Sequence, residues 1–286
     1  NLRSALQKHL KSRLSTAGAT YVRFFYAVPF AFLYLFILNQ FFYLPLPEPN
    51  ANFIIFGIIG GGTQIIATAL LVYLFSFRNF AVGTAYSKTE TAQTAVFGLI
   101  ILGDPLTPGA IIGIMISLVG VMAISTARQE NGLKNIIQSL SQKTALIGLA
   151  SGAMFGMSAI SYRAASLSLG GEGVVIQAAY TLACVTVFQT LALTIYLQLK
   201  EKGEVINVIK NWRIAILVGL SGMSGSACWF SAMTLQNAAY VRALGQIELV
   251  FTFVGSYIVF KEKTNGTELF GILALVLGIL VLLIGT

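Results

Sequence analysis

The chain is predicted to be an all-α membrane protein of ten helices, built from two inverted five-helix repeats, with the first helix missing or truncated. Three observations predict it. Hydrophobic residues make up 56% of the 286 positions against 10% charged, and the mean hydropathy is +0.81. Soluble domains carry about 25% charged residues, so a water-soluble enzyme, a disordered tail and a fibrous repeat are excluded. Apolar runs long enough to cross a hydrocarbon core of about 30 Å recur along the chain. Two stretches offset by 158 positions also repeat each other, down to the lone acidic residue of each span.

Taken in order, the spans run Ala17 to Phe42, Phe53 to Phe75, Ala81 to Leu102 and Ala110 to Ser125, then Ala145 to Ser166, Val174 to Leu197, Ile214 to Leu235, Ala239 to Phe260 and Leu269 to Ile284. Each holds about the 20 apolar residues that a membrane helix needs. Pro29 lies inside the first and is expected to kink it. Gly57 and Gly61 form a G-x-x-x-G ridge extended by Gly60 and Gly62, and the pairs Gly113/Gly120 and Gly271/Gly278 permit close helix approach. Cys184 and Cys228 lie within apolar runs without metal or redox spacing and are read as packing residues.

The repeat is gapless in its second part. Asn79 overlays Asn237, Ala81 overlays Ala239, Ala85 overlays Ala243, Glu90 overlays Glu248, and Thr94 overlays Thr252. Asp104 meets Glu262, Gly113 meets Gly271, and Gly120 meets Gly278. Arg3 falls near Arg163, which closes a span, so a helix is expected before Arg3, giving five per half. An odd number per half inserts the two halves in opposite directions. The expected organisation is an N-terminal repeat over residues 1–126, a charged, Gly- and Ser-containing linker over 127–143, and a C-terminal repeat over 144–286.

The net charge of +8 and the pI near 9.5 do not point to nucleic acid, because the basic residues sit in short connectors and form no stripe. Lys8, Lys11, Arg13, Arg78, Arg128, Lys134, Lys143, Lys200, Lys202, Lys210, Arg213, Lys261 and Lys263 all fall in alternate connectors. By the positive-inside rule those connectors face the cytoplasm, which puts the C-terminus outside.

Ser87-Lys88-Thr89-Glu90-Thr91, followed by Gly103-Asp104-Pro105-Leu106-Thr107 and the Gly113/Gly120 helix, resembles the end of an EamA-type half of the drug/metabolite transporter superfamily. The second copy is Gln246-Ile247-Glu248-Leu249, Lys261-Glu262-Lys263-Thr264 and Gly271/Gly278. The resemblance covers nearly the whole chain and implies ten helices in two inverted repeats. It departs from the family where Thr91 and Leu249 replace the proline that often follows each glutamate. The family's habit of keeping both termini in the cytoplasm also disagrees with the charge count.

Ionisable groups at a helix centre cost about 2.5–3.5 kcal/mol on insertion scales and must face protein or water. Lys88 and Glu90 in the third span and Arg242 and Glu248 in the eighth are such groups, while Arg23 and Arg163, nearer span ends, are expected to snorkel to headgroups. On a continuous helix Tyr86, Glu90, Gln93 and Phe97 share one face and Thr84, Lys88, Thr91 and Ala95 the opposite one. The candidate transport-pathway residues are Lys88, Glu90, Gln246, Glu248, Gln64, Tyr86, Tyr162 and Trp229, with Tyr180 in support. Glu90 is expected either to exchange a proton or hold an ammonium at a midplane site, or to lock neighbouring helices together. Arg242 stands six residues from Glu248, too far for a same-face contact, and is unassigned.

One histidine, His9, no clustered carboxylates and no metal-ligand or nucleotide-binding motif argue against catalysis and against any cofactor. The reading is a secondary active transporter in a cell membrane, the bacterial inner membrane above all. It moves a small polar or amphoteric metabolite such as an amino acid by alternating access, and the resemblance favours export. Proton coupling through Glu90 is the sharper expectation, and a multidrug exporter of lipophilic cations is the alternative. The partners expected are a small-molecule substrate, the lipid bilayer and a second copy in a homodimer, with no nucleic acid.

Overall fold

The computed structural model describes residues 6–7, 9–77, 80–127, 143–171, 173–251, 254 and 265–285. Arg3, Lys8, Arg78, Asn79, Thr252, the connector residues Arg128, Lys134, Lys261, Glu262, Lys263 and Thr264, and the linker over 128–142 lie outside them.

All regular structure among the described residues is helical. The elements are α1 (Thr16–Phe25), α2 (Val28–Phe41), α3 (Ala51–Leu74), α4 (Phe80–Ser87), α5 (Glu90–Ile101) and α6 (Pro108–Thr126), then α7 (Lys143–Ser168), α8 (Val174–Lys200), α9 (Glu204–Lys210), α10 (Trp212–Leu235), α11 (Ala238–Gly245) and α12 (Gly266–Ile284). Seven stretches among the described residues are long and apolar enough to cross a membrane: α1 with α2, α3, α6, α7, α8, α10 and α12. Their outward residues are apolar, as in Ile54, Ile55, Ile58 and Ile66 on α3 and Leu269, Leu273, Leu277 and Leu280 on α12. Exposed isoleucines and leucines along whole helices fit hydrocarbon as solvent.

Helix starts follow from capping. Ser15 accepts from the Gly18 amide, Asn50 from Phe53, Thr107 from Ala110 and Asn237 from Ala239. Asn265 and Glu268 form a reciprocal capping box at the start of α12. Thr107 and Asn265 are repeat equivalents, so the same side-chain cap opens the last helix of each half. At the end of α5, Gly103 takes φ +64°, where a side chain would be strained, and the Asp104 amide donates to the Gly98 carbonyl at 3.2 Å.

Three spans are broken among the described residues. The first breaks at Tyr26 and Ala27, because Pro29 has no N–H to donate to the Phe25 carbonyl. The third and eighth break at equivalent residues. Lys88 and Thr89 donate their amides to Ala85 and Tyr86, and Gln246 and Ile247 donate theirs to Ala243 and Leu244, all three residues back. The tighter turn ends one α-helix and starts another at Glu90. After the second break, residues 248–251 are helical. Ser87 and Thr89 bond back to the Thr84 and Tyr86 carbonyls, hydroxyl competition that loosens the ladder at the first of these breaks. The continuous third span expected from the sequence is therefore corrected to two short helices.

The chain forms two compact units, residues 1–75 with 158–236 and residues 76–157 with 237–286. Each draws on both halves of the sequence. In the first unit, Ala31, Leu35, Tyr162, Leu182, Val185 and Phe230 share one buried cluster, and Tyr21, Val22, Phe24, Val72, Leu197 and Val218 another. In the second, α6 and α12 are antiparallel repeat mates packed backbone to backbone. A Cβ at Gly113 would lie 2.7 Å from the Gly278 carbonyl oxygen, and one at Gly120 would lie 2.6 Å from that of Gly271. Because Gly271 is the equivalent of Gly113 and Gly278 of Gly120, the contact is reciprocal, as two upside-down copies require.

Candidate transport site

In the second unit the two broken spans place charged groups against one another. Lys88 Nζ reaches Glu248 Oε1 at 2.8 Å, and Arg242 Nη1 reaches Glu90 Oε1 at 3.4 Å. Gln246, the repeat equivalent of Lys88, donates to Thr91 Oγ1 at 3.3 Å, beside Glu90. Each repeat thus supplies its glutamate to a cation of the other.

The breaks make this possible. Glu90 opens α5, where the unpaired amides of the first turn favour a carboxylate, and Arg242 lies in the last turn of α11, where the carbonyl end favours a cation. Burial differs between the pairs: Arg242 and Glu90 are 12% and 13% exposed, Lys88 and Glu248 23% and 42%. Gln93 Oε1 and Gln246 Oε1 are buried and accept no hydrogen bond among the described residues, so the site keeps polar capacity beyond its ion pairs.

A face of α7 supports the first break. Cβ atoms at Gly148, Gly152 and Gly156 would come within 2.1 Å of the Gly83 carbonyl oxygen, 2.9 Å of that of Ser87 and 3.0 Å of Thr94 Oγ1. The four-residue spacing of these glycines is the sequence signal of this contact face.

Tyr86, at the end of α4, is 3% exposed and packs against α7 at Gly148. Gln64 and Tyr162 fall in the first unit, where the structure brings them together. The Tyr162 hydroxyl donates to Gln64 Oε1 at 2.9 Å, and Gln189 Nε2 donates to the same oxygen at 2.8 Å. Gln189, 1% exposed, is a member of this network that sequence reasoning missed; it is one polar residue amid the apolar run of α8. Phe230 stacks on Tyr162 with centroids 4.4 Å apart. Trp229 is half-buried on α10, and Tyr180 packs at 5.6 Å from Phe53. Cys184 is half-buried and Cys228 exposed, so only the first packs as expected.

Two arginines correct the snorkelling expectation. Arg23 is 6% exposed and donates to Thr68 Oγ1 at 2.9 Å, with its guanidinium carbon 5.2 Å from the Phe24 ring centre. Arg163 donates to the carbonyls of Met233 and Gln236, both at 2.7 Å, and so satisfies the C-terminal end of α10. Helix-end carbonyls inside the protein attract a guanidinium as headgroups would. Arg242, left unassigned by its spacing from Glu248, meets Glu90 of the other repeat instead.

Comparison with known proteins agrees with this architecture. A solved crystal structure of a protein shares the fold with a TM-score of 0.68 at 12% identity, covering 99% of this chain and 92% of that one. No curated protein matches the chain. The model of the EamA-like transporter family matches twice, over residues 3–126 and 142–284. Antiparallel repeat mates, membrane-length helices and a match spanning both halves lead to one conclusion: the chain belongs to the EamA-like transporter family, within the drug/metabolite transporter superfamily, and is a multi-pass membrane transporter.

Proposed function

We propose that the chain is a secondary active exporter of a small polar or amphoteric metabolite, an amino acid or a close relative, working by alternating access in a bacterial inner membrane. The observation that carries this reading is the crosswise pair of ion pairs at two equivalent helix breaks, Lys88 with Glu248 and Glu90 with Arg242. Such charges are expensive within a bilayer and mark pathways for solutes and protons. Discontinuous helices in equivalent positions of inverted repeats are where transporters of this architecture bind and couple.

Glu90 is the proton carrier in this reading. Protonation removes the charge that holds Arg242, and the freed cation then biases the broken span toward its other arrangement. Both carboxylates already hold a protein cation, which favours an amphoteric solute over the alternative in which Glu90 receives a lipophilic cation.

The test is efflux of preloaded, labelled L-amino acids from proteoliposomes under an imposed pH gradient. The wild type accelerates with the gradient, whereas Glu90→Gln keeps exchange but ignores it. Flux indifferent both to the gradient and to Glu90→Gln removes the proton role. Lys88→Ala separates the solute classes, since amphoteric flux fails and cation efflux persists.

A further inference from the structure

We propose that the connector between α8 and α10, together with the residues just before α1, is a seat for an anionic phospholipid in the leaflet beside the basic connectors. The seat lies in the first unit, contains none of the candidate transport residues, and does not depend on what the solute is.

α9 is apolar on two sides. Val208 is fully buried, in one cluster with Leu10, Leu14, Ala215 and Val218, and fixes the helix to the body of the unit. Ile206 and Ile209 point outward, 58% and 49% exposed, and Trp212, just past the end of α9, is 52% exposed. They continue the outward surface of α8, where Ile195, Tyr196 and Leu199 are exposed. Exposed apolar side chains beside cations at the end of a span mark a helix that lies in the plane of the membrane interface.

The charge around this face is one-sided. Lys200, Lys202, Lys210 and Arg213 are exposed. The Arg213 guanidinium carbon lies 5.8 Å from the Trp212 ring centre, so a cation and an interfacial ring stand together. Arg13, also exposed, donates from Nη1 to Asn211 Oδ1 at 3.5 Å, which sets it against the residue between Lys210 and Trp212. The two carboxylates of the connector are turned inward. Glu204 Oε1 accepts from the Ser15 amide at 2.6 Å and its Oε2 from Asn207 at 3.0 Å, while Glu201 accepts from the Ser15 hydroxyl and attracts Lys11. The amide end of α1 offsets their charge, and the outer surface is left to the cations.

A phospholipid of negative headgroup meets both halves of this surface. Its phosphate answers Arg13, Lys210 and Arg213, and its tails cover Ile206 and Ile209. A soluble anion would meet only the cations, and because each of them is exposed, salt would screen that attraction. A zwitterionic lipid would meet the isoleucines without the net attraction that each lysine or arginine exerts on an anionic surface.

The experiment reads the lipid beside Trp212. The chain has two tryptophans, so Trp229→Phe leaves Trp212 alone. This full chain is placed in nanodiscs of mixed phosphatidylcholine and phosphatidylglycerol, with brominated tails on one lipid or the other, and fluorescence quenching gives their relative association at Trp212. Phosphatidylglycerol is expected to associate about fivefold or more tightly, the factor that one cation near the surface supplies. Lys210→Gln with Arg213→Gln brings the two lipids to parity, whereas Lys143→Gln, which removes an exposed cation elsewhere, leaves the preference intact. If Trp229→Phe does not fold, the difference between the unaltered chain and Trp212→Phe isolates the same signal. Equal quenching by both lipids overturns the proposal, as does a preference that survives Lys210→Gln with Arg213→Gln. A matching loss in Lys143→Gln, or abolition by inorganic phosphate at constant ionic strength, overturns it as well.

Discussion

Adding one methyl group to the chain at two glycines should change stability in opposite directions. At Gly120, a Cβ would lie 2.5 Å from the Leu275 amide nitrogen and 2.6 Å from the Gly271 carbonyl oxygen, both backbone atoms that no rotamer change can move. The α6 and α12 backbones must part, at an overpacking cost of about 1–3 kcal/mol. Removing a glycine from a helix interior returns about 0.5–1 kcal/mol. The net effect of Gly120→Ala is a loss of about 1–2 kcal/mol. At Gly62 on α3 a Cβ meets nothing within 4 Å, so Gly62→Ala keeps only the gain and stabilises by about 0.5–1 kcal/mol. Reversible unfolding in detergent, followed by circular dichroism, measures both. Gly271→Ala combined with Gly120→Ala should cost less than the sum, since one separation of the two backbones relieves both clashes. A Gly120→Ala protein as stable as the wild type, or the same sign at both sites, would refute the packing argument.

The two ion pairs should differ in weight. Arg242→Ala strands Glu90 in a site about 13% exposed and is expected to cost about 3 kcal/mol, while Lys88→Ala beside a Glu248 that is 42% exposed costs about 1 kcal/mol. Equal losses in the same unfolding assay would contradict the burial difference. Arg163→Leu removes the donors to the Met233 and Gln236 carbonyls and should cost about 2 kcal/mol, with Arg163→Lys recovering part of it. Lys11, outside the spans, bonds Thr16, and burial lowers its pKa despite the opposing attraction of Glu201. Below that depressed pKa both folded and unfolded chains hold the proton, and above it the unfolded chain holds more. The stability gap between wild type and Lys11→Met should therefore widen in favour of the wild type as pH rises toward lysine's ordinary value of about 10.4. A gap that narrows over that window would show the sign to be wrong.

Much of the architecture could be read residue by residue. Apolar runs marked the spans, the glycine pairs of α6 and α12 marked a close seam, and Pro29 marked a bend that the structure places one turn earlier, at Tyr26 and Ala27. These are local properties: hydrocarbon solvates a side chain wherever it faces outward, and a missing N–H breaks a ladder whatever packs beside it. The breaks at Lys88 and Gln246 were not legible. No proline or glycine marks Lys88, and a helical-wheel argument assumes the continuity that the structure removes.

The candidate site divides along the same line. Lys88, Glu90, Gln246 and Glu248 were chosen because charge inside a membrane is costly, and that choice needed only composition and position. Their partners were another matter. Spacing argues against Arg242 reaching Glu248, and it pairs with Glu90; a place near a span end predicts headgroups for Arg23, and it lies buried against Thr68; no local signal singles out Gln189, and it bonds Gln64. By itself the sequence determined that the chain lives in a membrane, where its helices run, and which residues are too polar to face lipid, because burial of each side chain in hydrocarbon is an additive cost. Only the tertiary structure decided which polar group answers which, because an ion pair depends on distances between segments more than 150 residues apart in the chain, set by backbone breaks and glycine contacts that no local pattern contains.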